Sequence, residues 1–395
     1  MRSAFVVGVN FVEAEDRVEL LVKPHGNRKL RCPSEGCKRC MTPTGDTERR
    51  NCRHLDVLSV RCYLVWDARY GRCPEHGVRL EELPWAAPRA RHSRQFDRAV
   101  AKLVQVADKS ATARMFGVAW RTVERVVRRV VHDELPKDLF DDLVAIGVDE
   151  TSYKRGHRYL TVVSDLMTGN VIWIGEGKGA DTLNQFFDEL GATRCAKLQL
   201  VSMDMSGSYK KAVADKAKDA EIVFDRFHVV RLLLDAVDEV RRDEAREMPV
   251  HERRRLKGQR FQLLRNPKFR EPDAVEATRK AVSGNRRIAR AYELRISFED
   301  FWECETEEDA ERFLFRWTRS ALMSRQRPLR RVAKTLREHA DGILAYFRWW
   351  GQTNAVLEGT NNKIKLLIHK AYGFRSVAGL MAMIHLCCSG ITLLS

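Results

Sequence analysis

Two aspartates and a glutamate are the residues of this chain best suited to do chemistry. Asp149 closes the apolar run Ala145–Val148, and Asp204 closes Leu198–Met203. Glu358 stands in the polar stretch Asn354–Lys365. A carboxylate at the end of a buried strand is costly to desolvate unless it is paired or holds a cation. Three such acids form a hard-oxygen donor set, suited to Mg²⁺ or Mn²⁺ rather than zinc. Two such ions roughly 3.5–4 Å apart can activate an attacking oxygen and stabilise a leaving one in phosphodiester chemistry. No protein nucleophile is then required, and the chain shows no Ser/His/Asp set or phosphate-cradling glycine loop. Glu358, Asn361, Asn362 and Lys365 fall at i, i+3, i+4 and i+7 of an expected helix. They share a face on which an acid is flanked by groups able to hold a phosphate. Neighbouring groups take lesser parts. Glu150 points away from Asp149 across the strand. Asp165 and Asp225 read as turn or supporting groups. His228 reads as a DNA contact, an orienter of a carboxylate or a plain structural histidine.

A second constellation is soft. Six of the ten cysteines crowd the first fifth of the chain: Cys32, Cys37, Cys40, Cys52, Cys62 and Cys73. The start carries a short apolar run broken by acids and no small-residue cleavage site, so it does not read as a secretion signal. Clustered cysteines then point to metal rather than disulfides. Cys32, Cys37, Cys73 and His76 are the preferred ligands of a tetrahedral Zn²⁺. Cys40 is an alternative to Cys32, because Cys37-x2-Cys40 has the tighter spacing. Cys52 and Cys62 read as packed thiols.

These residues need elements to position them. Residues 1–90 read as a small β module, with strands over Val6–Val9, Val18–Val22 and Val60–Trp66. A basic, proline-containing link follows. Residues 95–135 then show helical periodicity with a glycine turn at Gly117-Val118, the order of a helix-turn-helix. Arg121, Arg125, Arg128 and Arg129 would line the solvent side of its second helix and meet phosphates or guanine edges. Residues 140–230 read as βββαβαβ, a mixed sheet with a helix layer on each side. In such a sheet the first and fourth strands can be neighbours, which brings Asp149 beside Asp204. Residues 231–347 read as a charged helical insertion, held by apolar positions such as Leu263, Ile288, Tyr292, Phe315 and Trp317. Residues 348–395 return to the α/β domain with a polar helix capped by Thr353 or Asn354, and Tyr372–Arg375 re-entering the core.

Composition names the partner class. Lys+Arg is 70 against 54 for Asp+Glu, a formal charge of +16 over 395 residues. That excess fits nucleic acid. No apolar run approaches the roughly 18 residues needed to cross a bilayer, so a membrane is excluded as partner.

The blocks CPEHG (73–77) with PWA (84–86), AWRTVERVV (119–127), IGVDETSYKRGHRYLTVVSD (146–165), VSMDMSGSY (201–209), DRFHVV (225–230) and NAVLEGTNNKIK (354–365) with AYGFRS (371–376) resemble those of insertion-sequence DDE transposases of the ISL type. The resemblance covers nearly the whole chain and departs at the first cysteine knuckle, where that family has Cys-x2-Cys. It implies an RNase H-like fold with Asp149, Asp204 and Glu358 as the triad, split by the helical insertion. It implies that water hydrolyses the transposon end and that the freed 3′-hydroxyl attacks target DNA. It also implies double-stranded DNA as partner, a homodimer or higher multimer on DNA, and a bacterial, nucleoid-associated place in the cytoplasm. A transposase-derived DNA-binding regulator without catalysis and a nuclease without strand transfer are the competing expectations.

Overall fold

The computed structural model describes residues 4–24, 29–34, 36–37, 39–86, 90–154, 156–250, 253, 259–349, 354–371 and 374–393, with the side chains of 259, 267 and 354–358 outside that set. The chain divides into two compact units, Met1–Leu135 with Phe374–Ser395, and Pro136–Gly373. The expected last segment, 348–395, is therefore divided between them.

The first unit opens on a five-stranded mixed sheet. Its strands are β1 (Ala4–Val12), β2 (Arg17–Pro24), β3 (Thr42–Arg53), β4 (Arg61–Cys73) and β5 (Gly77–Leu80), in the order β1-β2-β4-β3 with β5 also on β4. β3 was not expected. Its sequence TPTGDTERRNCR has no apolar alternation, and it is an almost wholly exposed strand whose pairing with β4 holds it in place. Three helices follow: α1 (Arg94–Val106), α2 (Lys109–Met115) and α3 (Trp120–Glu134). Ser93 and Asp108 cap α1 and α2, each accepting from backbone N–H groups of the first turn. Gly117 makes the turn into α3 at φ +60°, a conformation that glycine adopts freely. α3 buries Val123, Val126, Val127, Val130 and Val131, one apolar stripe at helical spacing.

The second unit is built on β6 (Ala145–Lys154), β7 (Arg158–Asp165), β8 (Val171–Glu176), β9 (Leu200–Met203) and β10 (Glu221–Phe224), in the order β10-β9-β6-β7-β8. β6 runs parallel to β9, and β9 to β10; β6-β7-β8 form an antiparallel meander. This is the expected mixed sheet, with β6 and β9 adjacent. β6 does not stop at Asp149, as its polarity suggests. It continues to Lys154 because β7 pairs with it throughout, whereas its parallel pairing with β9 covers only Ala145–Gly147. The helices α4 (Ala180–Leu190), α5 (Ala192–Cys195) and α6 (Gly207–Lys216) lie within the sheet connections. The 22-residue α7 (Arg226–Glu247) leads into the insertion: α8 (Gln259–Leu264), α9 (Pro272–Val282), α10 (Arg286–Ser297), α11 (Glu307–Met323), α12 (Arg327–Glu338) and α13 (Ala340–Arg348). Leu263, Ile288, Tyr292 and Trp317 are buried in one apolar core with the sheet, but Phe315 is exposed and lies outside that core. The helix α14 (Asn354–Lys370) closes this unit, and α15 (Val377–Cys388) packs with α1 and α3 in the first. Thr353 and Tyr372-Gly373 lie outside the described residues. Among the described residues no helix is long and apolar enough to cross a membrane.

Candidate active site, metal knuckle and nucleic-acid interface

The parallel register fixes the acids. Gly147 pairs with Ser202, and Met203 with Phe224. Continued one or two residues past the paired positions, it sets Asp149 of β6 level with Asp204 and Asp225, which follow the ends of β9 and β10. Residues level in a parallel sheet point to the same face. Each acid follows an apolar strand: IGV-Asp149, VSM-Asp204 and IVF-Asp225. That shared pattern is the sequence signal that places Asp225 with the other two, beyond the supporting part expected of it. Burial pushes the Asp149 carboxyl above the usual carboxylate range, and the negative charges of Asp225 and Asp204 push it further. The Glu150 N–H, which donates to Asp149 Oδ1 at 2.6 Å, and the nearby His228 oppose that rise. A row of carboxylates is a donor set suited to a hard divalent ion.

Other groups are drawn to Asp149. Asn361 on α14 donates to its Oδ2 through Nδ2. His228, in the first turn of α7, places Nε2 3.9 Å from its Oδ1. Asp204 accepts from the Ser206 N–H at 2.9 Å, and Asp225 caps α7 by accepting from the Phe227 N–H at 2.9 Å. Glu150 faces the other way, toward Tyr209 on α6, and burial raises its carboxyl too. α14 buries Thr360, Ile364 and Leu367 and leaves Asn362 and Lys365 exposed. The polar face expected of this helix is thus divided, with Asn361 turned to Asp149 and the other two free to meet a ligand. Glu358 stands on α14 three residues before Asn361; its side chain lies outside the described residues.

The soft ligands also meet. Cys32, Cys37, Cys73 and His76 bring one ligand atom each to within 4.8 Å of one another. Cys37 Sγ is 3.9 Å from Cys73 Sγ, and His76 Nδ1 is 3.7 Å from Cys32 Sγ and 3.6 Å from Cys73 Sγ. Sulfurs bridged as a disulfide would sit about 2.05 Å apart. The edges of a tetrahedron with metal–sulfur bonds of about 2.3 Å are roughly 3.5–3.8 Å, so the set fits zinc. Two turns build it. A small hairpin presents Cys32 and Cys37, closed by Cys32 N–H to Arg39 O and Met41 N–H to Leu30 O. The β4–β5 turn presents Cys73 and His76 and ends on Gly77 at φ +69°. Cys40 is exposed, because strand alternation turns the neighbouring Met41 inward in its place. Cys52 and Cys62 are buried in the sheet, and burial pushes the Cys52 thiol up to about 12, so both are packed thiols.

On α3, Arg121, Arg125 and Arg128 are exposed. Arg129 departs from the expected solvent row. Its Nε and Nη2 reach the buried Asp97 of α1 at 2.7 and 2.6 Å. A nearly inaccessible acid needs a cation, and the guanidinium supplies one within the fold. α15 braces α3 from outside, through Ser376 donating to Glu124 at 2.8 Å.

Two family models match. One, described as a transposase model, covers residues 146–384, which includes the acids and the whole insertion. The other, the helix-turn-helix domain of transposase family ISL3, covers residues 81–131. The transposase for insertion sequence element IS1557 of Mycobacterium tuberculosis is 34% identical over 398 residues, covering 95% of this chain and 89% of that protein. The transposase for insertion sequence element IS1001 of Bordetella parapertussis is 29% identical over 334 residues, covering 84% of this chain and 82% of that protein. With a helix-turn-helix, a mixed sheet carrying level aspartates and relatives along nearly its whole length, the chain belongs to the ISL3 family of insertion-sequence transposases.

Proposed function

We propose that this transposase binds the terminal inverted repeats of its element and catalyses phosphodiester hydrolysis followed by strand transfer, with Asp149, Asp204 and Glu358 as its catalytic acids. The observation that carries the reading is the level row of strand-end aspartates, with α14 seated on Asp149 through Asn361. Mg²⁺ or Mn²⁺, when held by these acids, supplies activation of the attacking oxygen and charge stabilisation at the leaving oxygen. Water first attacks the phosphorus at the transposon end; the bond to the 3′-oxygen breaks, and a 3′-hydroxyl is freed. That hydroxyl then attacks a target phosphodiester, forms the new P–O bond and releases a target 3′-hydroxyl.

The chain's own groups prepare these steps. The Asn361 amide fixes one oxygen of Asp149, and His228 stands beside the other, so the carboxylate is oriented before DNA arrives. Asn362 and Lys365, exposed on the same helix, hold backbone phosphates. In the first unit, Cys32, Cys37, Cys73 and His76 hold Zn²⁺, which rigidifies the β module. Arg121, Arg125 and Arg128 of α3 enter the major groove, while Arg129 stays with Asp97. The protein works on double-stranded DNA at the bacterial nucleoid, as a homodimer or larger assembly holding paired ends.

The test incubates Asp149→Asn, Asp204→Asn and Glu358→Gln proteins with labelled inverted-repeat DNA and Mg²⁺. Each is expected to lose cleavage and joining by about a thousandfold or more, several kcal/mol of transition-state stabilisation. Wild-type rates in any variant would remove that residue from the site.

A further inference from the structure

The helical insertion handles its positive charge in two ways. Many of its arginines are matched to acids: Arg241 to Asp238, Arg279 to Glu293, Arg287 to Glu244, Arg312 to Asp309 and Arg331 to Glu239. On α12 a row of cations makes no ion pair among the described residues. This helix buries Pro328, Leu329, Val332, Ala333 and Leu336 and carries Arg327, Arg330, Lys334 and Arg337 exposed on the other side. Their spacings of three, four and three residues place the four in one line along the helix. At 1.5 Å rise per residue the row is roughly 15 Å long. Among the described residues none of the four makes an ion pair. Arg337 alone is anchored, donating to Thr318 at 3.0 Å and lying over the exposed ring of Phe315. Like charges at helical spacing repel, and among the described residues no ion pair offsets them.

A straight row of exposed cations matches the repeat of a polyanion. At about 3.4 Å of helix axis per phosphate of one strand, a row roughly 15 Å long covers an axial span of about four phosphates. Contacts to phosphates position a duplex without carrying sequence information, and a row of cations that follows the backbone makes contacts of that kind. A duplex held without regard to sequence is what strand transfer requires of its target; the terminal repeats must be read. Resting on the transposase reading above, we propose that Arg327, Arg330, Lys334 and Arg337 form a backbone track for the target DNA duplex.

The test uses the full-length Arg327→Gln/Arg330→Gln/Lys334→Gln triple variant, with Lys210→Gln/Lys211→Gln/Lys218→Gln as a control of equal charge loss. Binding to a duplex lacking the terminal repeat is measured over a range of salt. The α12 triple is expected to weaken binding and to lower the slope of log affinity against log salt by about 2–3. In catalysis it is expected to reduce joining to target while cleavage of labelled ends keeps the wild-type rate. An unchanged slope, or an equal loss of slope in the control, would overturn the track. Equal loss of cleavage and joining would overturn its assignment to target DNA, because the row would then serve the element's own ends. If the triple melts below wild type, the single Arg330→Gln and Lys334→Gln proteins are used, each expected to lower the slope by about 1. A wild-type protein that binds DNA but cuts nothing would refute the catalytic reading and leave the salt measurement able to judge the row.

Discussion

Two desolvated carboxylates, the buried Asp97 in the first unit and the half-buried Asp149 in the second, show opposite solutions to one problem. Burial raises both above the ordinary carboxylate range, Asp97 to about 6. Asp97 is given a cation from inside the fold, the Arg129 guanidinium at 2.6 Å. Asp149 is given an amide, an imidazole and two further acids level with it. A carboxylate paired with a guanidinium has its cation inside the fold; one set beside further acids is in an environment that favours a bound cation. The metal knuckle sharpens the point. Its three sulfurs and one imidazole make a complete four-ligand set with no open position, as structural zinc sites do.

The largest effect should come from breaking the closed set. Cys73→Ser is expected to remove stoichiometric zinc and unfold the β module, since the metal's binding free energy, about 10 kcal/mol or more in small zinc modules, is folding energy. Metal analysis and protease sensitivity of residues 1–90 would check it, and retained zinc with a protected module would break the comparison. Next, Asp204→Asn should abolish cleavage yet leave the melting temperature equal to or above wild type, because it removes like charge from a crowded row. A clear fall in melting temperature would make Asp204 structural, like Asp97.

Arg129→Ala should do the reverse of Asp204→Asn. It strands a buried charge and is expected to cost about 3 kcal/mol in the first unit, measured by denaturant unfolding. A smaller effect concerns pH. Asp97 titrates near 6 when folded against about 3.8 ordinarily, so the folded state holds its proton more tightly, and its contribution to stability falls as pH rises from about 4 to 6. Its neighbour His92, lowered by burial and then by Arg129 to about 4, acts oppositely, and its contribution rises over pH 4–6.5. Asp97→Asn should therefore leave only the rise, seen as a steeper gain of stability with pH across that window. The smallest change in stability is expected for Arg125→Ala, within about 0.5 kcal/mol for an exposed site. Its loss should appear in affinity for the terminal repeat, by about 1–3 kcal/mol if it reads a guanine.

Much of this molecule was legible in local patterns. The βββαβαβ order, the helix–glycine–helix of residues 94–134 and the choice of Cys32, Cys37, Cys73 and His76 follow from periodicity, turn residues and ligand spacing. β3 was not legible, because a polar strand at a sheet edge has no burial pattern to betray it; its partner supplies the order. Nor was the true extent of β6, since Asp149 reads as an end until β7 is seen pairing past it.

Residue types alone determined that the chain is basic, holds soft ligands early and hard ligands late, and presents arginines on α3. Only the tertiary structure decided which of these groups face a ligand and which face the protein. Arg125 and Arg129 are one turn apart on the same helix, yet one is exposed and the other is held by Asp97. Asn361 and Asn362 are adjacent, yet one holds Asp149 and the other is exposed. The reason is physical. A side chain's chemistry is local, but its partner lies on another element, and only the packed register brings the two within reach.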